Sequence, residues 1–187
     1  PLSDVVKSIL PPQPSTIFFE MASPKPMPVD FVVKFGRNIL SLISFGMPLI
    51  QSIRPLSDLV FDVHLMIEEP LRYLKDFRDC GADIITIHYE ACKDVRTTLA
   101  QIRDLGAKAG LSVKPKTDIN VVKDYLDLCD MILLMSVEPG FGGQKFIDGS
   151  LERAAGLRKI IDDSGLMIDL EIDGGIKTDN VGAVIDA

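Results

Sequence analysis

Cysteine is scarce in this sequence: Cys80, Cys92 and Cys129 are widely spaced and form no C-x-x-C pair. An odd, scattered set excludes a disulfide-stapled scaffold and leads us to expect buried thiols in a reducing, cytoplasmic setting. Long apolar runs are missing too. None approaches the roughly 18 residues that a membrane-crossing helix needs, so no membrane partner is expected. Positive charge is short: 20 Lys and Arg against 27 Asp and Glu leave a net charge of −7. That deficit argues against general binding to nucleic acid or to an anionic membrane, although a local pocket can still hold an anionic small molecule.

What is present is an ordinary globular composition, 47% hydrophobic and 25% charged over 187 residues, enough for one sizeable core. From about residue 59 the chain alternates regularly. LVFDVHLM (59–66), DIITIHY (83–89), KAGLSV (108–113), MILLMSV (131–137) and LMIDLEID (166–173) read as strands. Between them run helical spacings: Leu71, Leu74 and Phe77; Val95, Leu99, Ile102 and Leu105; Leu151, Ala154, Leu157 and Ile161. A further helix is predicted to start at Thr117 or Asp118, both good N-caps, and another within TDNVGAVIDA (178–187). Strand and helix in alternation imply a parallel sheet with helical crossovers. The longest interval, from 131 to 167, holds SVEPGFGGQKF (136–146), whose glycines suggest a backbone that must approach something closely.

A closed (β/α)8 barrel and an open doubly wound sheet both fit this pattern. Polar residues favour the barrel. His64, His88 and Asp173 fall near the carboxyl ends of three strands, as does Met135 on a fourth, and barrel enzymes gather their chemistry at that mouth. With a period of two, Asp62, His64 and Met66 share one strand face, and Glu171 and Asp173 another. Each residue also has a plainer reading. A strand histidine is commonly a hydrogen-bonded core residue, Met66 and Met135 can be packing, and GFGG can be only a tight loop. Asp173 is harder to dismiss, since a carboxylate ending an apolar strand needs a partner or water. Backbone N–H groups of glycine loops form anion-binding nests, and late barrel loops often hold phosphate.

FDVHLMI (61–67), ADIITIHYEA (82–91), GLSVKPKT (110–117), MSVEPGFGGQKF (135–146) and LEIDGG (170–175) closely resemble the ribulose-phosphate 3-epimerase family. The resemblance is ordered from about residue 45 to the C-terminus. It implies a barrel enzyme that interconverts ribulose 5-phosphate and xylulose 5-phosphate in the pentose phosphate pathway, with residues 1–187 forming one ribulose-phosphate-binding domain. Inverting a carbon beside a ketone needs acid/base groups on both faces, and a divalent metal can stabilise the enediolate. By resemblance, His64 is a metal ligand and substrate contact, and Asp173 is ligand, substrate contact and acid/base. Gly140, Phe141, Gly142 and Gly143 match the phosphate-binding loop, Gly174 and Gly175 match substrate-binding backbone, and Ser8 matches a substrate-contacting serine. Met66 and Met135 match methionines that line the reacting centre. The metal would be Zn, Fe, Mn or Co, since a mixed N/O site accepts any of them. A homo-oligomer is compatible with the family, whose members commonly assemble.

The sequence departs from the family in three places. The family's second strand carries a histidine and, two residues later, an aspartate; the ungapped match, DFVVKFGRNILSL (30–42), puts Phe31 and Val33 there. Neither can bind a metal or move a proton. Pro11, Pro12, Pro14, Pro24, Pro26 and Pro28 crowd the region of the family's first helix, which they cannot continue. Compensating frame shifts across residues 11 to about 43, or a divergent proline-rich loop, would each produce this pattern, and resequencing the region distinguishes them. The chain stops at Ala187 inside the helix after the seventh family strand, so an incomplete barrel without its eighth strand and helix is expected. An epimerase impaired by its missing second-strand residues is therefore weighed against a non-catalytic relic that binds a sugar phosphate or a partner. Another phosphate-binding barrel, such as a decarboxylase relative, should show a lysine among its strand-end acids, which FDVHLM and LEIDGG lack.

Overall fold

The computed structural model describes residues 16–22, 30–35, 38–40, 47–140 and 143–187, the first three segments as backbone only. Eight strands make one sheet: β1 (Thr16–Ala22), β2 (Asp30–Phe35), β3 (Asn38–Leu40), β4 (Val60–Met66), β5 (Ile84–His88), β6 (Lys108–Val113), β7 (Met131–Met135) and β8 (Asp169–Asp173). Helices α1 (Met47–Ile53), α2 (Leu74–Asp79), α3 (Val95–Asp104), α4 (Ser150–Ser164) and α5 (Val181–Asp186) are interspersed. The spatial order is β3-β2-β1-β4-β5-β6-β7-β8. From β4 to β8 every pairing is parallel, which makes an α/β half-barrel of five strands.

The alternation of side chains sorts this half-barrel into two faces. Phe61, Val63 and Leu65 of β4, Ile85 and Ile87 of β5, Leu111 and Val113 of β6, and Ile132 and Leu134 of β7 are buried together on one face. Against them pack Leu74 and Phe77 of α2, Leu99 and Ile102 of α3, and Leu157 and Ile161 of α4, the helical spacings seen in the sequence. Each such side chain removed from water contributes about 1.5–3 kcal/mol. The opposite face carries Asp62, His64, Thr86, His88 and Ser112, all buried. A strand buried on both faces reads as a near-continuous apolar run, which is why MILLM gave no alternation.

The amino-terminal ends of the strands are locked by Arg54. Its guanidinium meets Asp83 at 2.8 Å, donates to the Leu59 carbonyl at 2.9 Å and lies 3.9 Å over the Phe61 ring. Asp83 in turn accepts from the Phe61 N–H at 2.8 Å. This network holds the rim away from the candidate chemistry.

Three sequence expectations need correction. Residues 30–35 do not lie beside β4; they form β2, antiparallel to β1, with Phe31 opposite Met21 and Val33 opposite Phe19. The strand parallel to β4 is β1, in register from Thr16↔Val60 to Ala22↔Met66. Its TIFFEMA run is rich in β-formers and lies between the two proline clusters, so it makes a strand in the segment that the sequence left open between a frame-shifted stretch and a divergent proline-rich loop. After β6, Asp118 does cap the next segment, accepting the Asn120 N–H at 2.9 Å, but 3-10 turns follow (Ile119–Asp124 and Leu126–Leu128) instead of an α-helix. The β-branched Ile119, Val121 and Val122 disfavour a regular helix there. Finally, β8 begins at Asp169, leaving Met167 almost wholly exposed before it.

Candidate functional site

The carboxyl ends of β4 to β8 share one rim. His64 lies two residues before the end of β4, His88 ends β5, and Asp173 ends β8 in register with Met135 at the end of β7. Met66 packs against a small cluster of Leu133, Met135 and Val137 on the face away from the helices. That contact ties the His64 strand to the Met135 and Asp173 strands across the rim.

The two imidazoles meet directly. His64 Nε2 lies 2.8 Å from His88 Nε2, with ring centroids 4.7 Å apart and planes inclined by 30°. His88 Nδ1 faces Glu90 Oε2 at 3.6 Å. Glu90 is itself held in place, accepting the Lys114 N–H at 2.9 Å and the Thr117 hydroxyl. Burial alone would raise the Glu90 pKa, but the nearby His88 ring and the hydrogen bonds from Thr117 and the Lys114 backbone outweigh it and hold the carboxyl at about 2.

Beneath the imidazoles lies a second polar layer. Burial pushes the Asp62 carboxyl up to about 7, and the Thr86 hydroxyl only partly opposes it. Among the described residues, Asp62 Oδ2, Thr86 Oγ1 and Ser112 Oγ have no hydrogen-bond partner. Gly110 makes room for this layer, since a Cβ there would come within 2.2 Å of Thr86 Oγ1.

The glycine loop is fastened to β8. The Ser136 N–H donates to the Asp173 carbonyl at 2.8 Å, and the buried Ser136 hydroxyl is shared between the carbonyls of Asp173 (2.8 Å) and Gly174 (2.6 Å). The loop neck closes where the Ile147 N–H donates to the Ser136 carbonyl at 2.9 Å. Inside the loop the Gln144 side chain donates to the Glu138 carbonyl at 2.5 Å. Gly174 and Gly175, with φ of 116° and 65°, carry the chain from β8 underneath this loop. A Cβ at Gly174 would lie 2.4 Å from the Val137 side chain, and one at Gly175 only 2.3 Å from the Phe146 backbone nitrogen. Gly140 and Gly143 also have positive φ, 115° and 75°, but with open space around them.

The structure therefore brings His64 to His88, Met66 to Met135, Met135 to Asp173, and Gly174 and Gly175 to the loop that carries Gly140 and Gly143. Ser8, Phe141 and Gly142 lie outside the described residues. Among the described residues no three His, Cys, Asp or Glu side chains gather as a metal centre. Sequence reasoning gave little weight to His88 and none to Glu90 or Ser136. A signal for His88 was present, because it ends its strand on the same face as Thr86; Ser136 could be found only once β7 and β8 were paired.

The sequence profile described as the Ribulose-phosphate 3 epimerase family matches residues 33–187. A ribulose-phosphate 3-epimerase of Synechocystis sp. is 46% identical over 147 residues, covering 78% of this chain and 64% of that protein. One from Bacillus subtilis is 41% identical over 146 residues, covering 78% and 67%. The chain thus spans about two thirds of the length of these relatives. Among solved structures, 3-keto-L-gulonate-6-phosphate decarboxylase from Vibrio cholerae superposes with a TM-score of 0.57 at 17% identity, covering 74% of this chain and 64% of that one. A tryptophan synthase alpha-subunit from Pyrococcus furiosus gives 0.58 at 14% identity, covering 75% and 57%. At such identities the likeness shows the barrel-type fold alone.

Proposed function

Since the chain belongs to the ribulose-phosphate 3-epimerase family, we propose that it is an isomerase-type domain, formed by residues 1–187, acting on a phosphorylated ketopentose, ribulose 5-phosphate. The observation that carries this reading is Ser136. One residue holds both the Asp173 backbone and the neck of the glycine loop, which fixes a candidate acid/base relative to a candidate phosphate cradle. Gly140 and Gly143, with Phe141 and Gly142 between them, receive the phosphate through backbone N–H groups. Gly174 and Gly175 present backbone to the sugar, and Ser8 contacts it. Asp173 removes the proton beside the ketone, His64 sits beside the reacting oxygens, and Met66 and Met135 exclude water.

The divalent metal implied by the family does not fit the described donor set. Among the described residues no third His, Cys, Asp or Glu side chain joins His64 and Asp173, and Phe31 and Val33, which the sequence match put at the family's second-strand ligand positions, lie on β2 and not beside β4. His64 Nε2, moreover, is at hydrogen-bond distance from His88 Nε2. The proton chemistry is therefore assigned to side chains. Neither Phe31 nor Val33 can supply the second acid/base group, so with Asp173 serving one face of the carbon proton exchange is expected to outrun inversion. Losing a general acid or base costs about 10²- to 10⁴-fold, and inversion should be slowed by that order.

The test is solvent proton exchange at carbon 3 of ribulose 5-phosphate, measured with and without added Zn²⁺ or Mn²⁺. Exchange that disappears in Asp173→Asn supports the enzyme. The missing donors at Phe31 and Val33 favour a second reading, a non-catalytic sugar-phosphate binder, which phosphate binding without exchange would support. Among the described residues no helix is long and apolar enough to cross a membrane.

A further inference from the structure

We propose that Asp62, Thr86 and Ser112 form a buried water-binding site beneath the candidate functional site, a polar floor whose ligand is ordered water. The three residues stand on neighbouring strands, β4, β5 and β6, and are 2%, 0% and 0% exposed. Asp62 Oδ2, Thr86 Oγ1 and Ser112 Oγ each lack a hydrogen-bond partner among the described residues. Three such atoms on one face of three adjacent strands form a pattern, because nearly all buried polar groups in folded chains have a partner, either protein or bound water.

The register explains why protein atoms do not supply those partners. Asp62 pairs with Ile84, two residues before Thr86, and Thr86 pairs with Gly110, two residues before Ser112. The three side chains therefore climb diagonally, one strand across and two residues up at each step. Diagonal neighbours on a sheet stand about 7–8 Å apart, too far for groups as short as serine and threonine to meet. One bridging water closes such a gap.

Gly110 opens the space. A Cβ there would stand 2.2 Å from Thr86 Oγ1, so the absence of a side chain lets the Thr86 hydroxyl lean over β6, the strand of Ser112. Met131, paired with Gly110 from β7, brings its methyl to 3.2 Å of the same Cβ position and walls the layer with apolar surface. A buried water needs about two to four polar partners, and the carboxyl and the two hydroxyls offer them in sequence. A hard cation such as calcium takes about six to eight oxygens, more than three side chains present. His64 and His88 follow two residues further along β4 and β5, so water held here fills the floor of the candidate site. The site does not depend on which reaction the mouth above it performs.

Oxygen-17 relaxation dispersion detects long-lived internal water in the folded chain. The unmodified chain should show such a component, and Ser112→Ala and Thr86→Val should each reduce its amplitude. Urea unfolding supplies an independent sign. In a dry layer, removing an unpaired hydroxyl relieves a penalty, and both variants gain stability. In a hydrated layer each variant takes a partner from bound water, and the unfolding constant should rise about 2- to 10-fold. An amplitude that either variant leaves unchanged, or a gain in stability in either, overturns the proposal. So does stabilisation specific to sodium or potassium at fixed ionic strength, which would put a cation in the layer. Should the variants fail to fold, a crystal structure of the unmodified chain decides. Water within hydrogen-bond distance of at least two of the three oxygens is expected, and a layer without it overturns the proposal.

Discussion

Replacing Gly175 by alanine tests whether the exit of β8 and the glycine loop are one mechanical unit. The residue has a φ of 65°, and its added Cβ would stand 2.3 Å from Phe146 N, 2.7 Å from Phe146 Cα and 2.9 Å from the Lys145 carbonyl carbon. All three are backbone atoms, so no rotamer change relieves the clash. Left-handed backbone costs an alanine about 1–2 kcal/mol. Displacing packed backbone costs about 1–3 kcal/mol more, so Gly175→Ala should lose about 2–5 kcal/mol in total. Gly165→Ala separates the two contributions, because Gly165 has a φ of 70° with nothing within 4 Å of its Cβ position. Urea unfolding of both variants, alongside inorganic phosphate titration, gives the answer. Gly175→Ala is expected to be less stable than Gly165→Ala by about 1–3 kcal/mol and to lose phosphate affinity, while Gly165→Ala keeps it. Equal stabilities, or full phosphate affinity in Gly175→Ala, would refute the coupling of β8 to the loop.

Other expectations follow from groups away from that contact. Arg54→Ala should cost about 2 kcal/mol in urea unfolding, through the stranded Leu59 carbonyl and the Asp83 carboxylate, while carbon-3 exchange per folded molecule stays unchanged. A lost activity there would mean that the amino-terminal rim is not separate from the site. Burial raises the Cys129 thiol to about 12, so timed alkylation at pH 8 should modify it only after unfolding. Early labelling of Cys129 in the folded chain would contradict its burial. Glu90 is depressed in the folded chain from 4.5 to about 2, so its stabilisation is fully present above pH 4.5 and is lost as pH falls through about 2. Acid unfolding of Glu90→Gln should lack that component, and an unchanged acid transition would count against the buried Glu90 contacts.

The strands of the half-barrel were legible because burial on both faces forces continuous apolar runs, and four of the five start within about a residue of their expected positions. LMIDLEID misled at its start because Leu166 and Met167 are apolar yet exposed in the turn before β8, where hydrophobicity carries no packing. Around β4 the error had another origin. Matching residues 30–42 to a family strand assumed that chain order fixes the neighbour, whereas pairing is decided by register and connection. TIFFEMA, with proline clusters on either side, carried the local signal for a strand, and it takes the parallel position beside β4. Site residues divided along the same line. Asp173, Gly174 and Gly175 were visible because a carboxylate and two glycines ending an apolar strand are locally anomalous. His88 looked ordinary alone, and it gains meaning only from a nitrogen on the neighbouring strand at hydrogen-bond distance. A sequence displays the residue types that a strand end must tolerate; which two of them share a proton is settled by the stagger of β4 against β5, His64 beside Thr86 and His88 one step beyond Ile87.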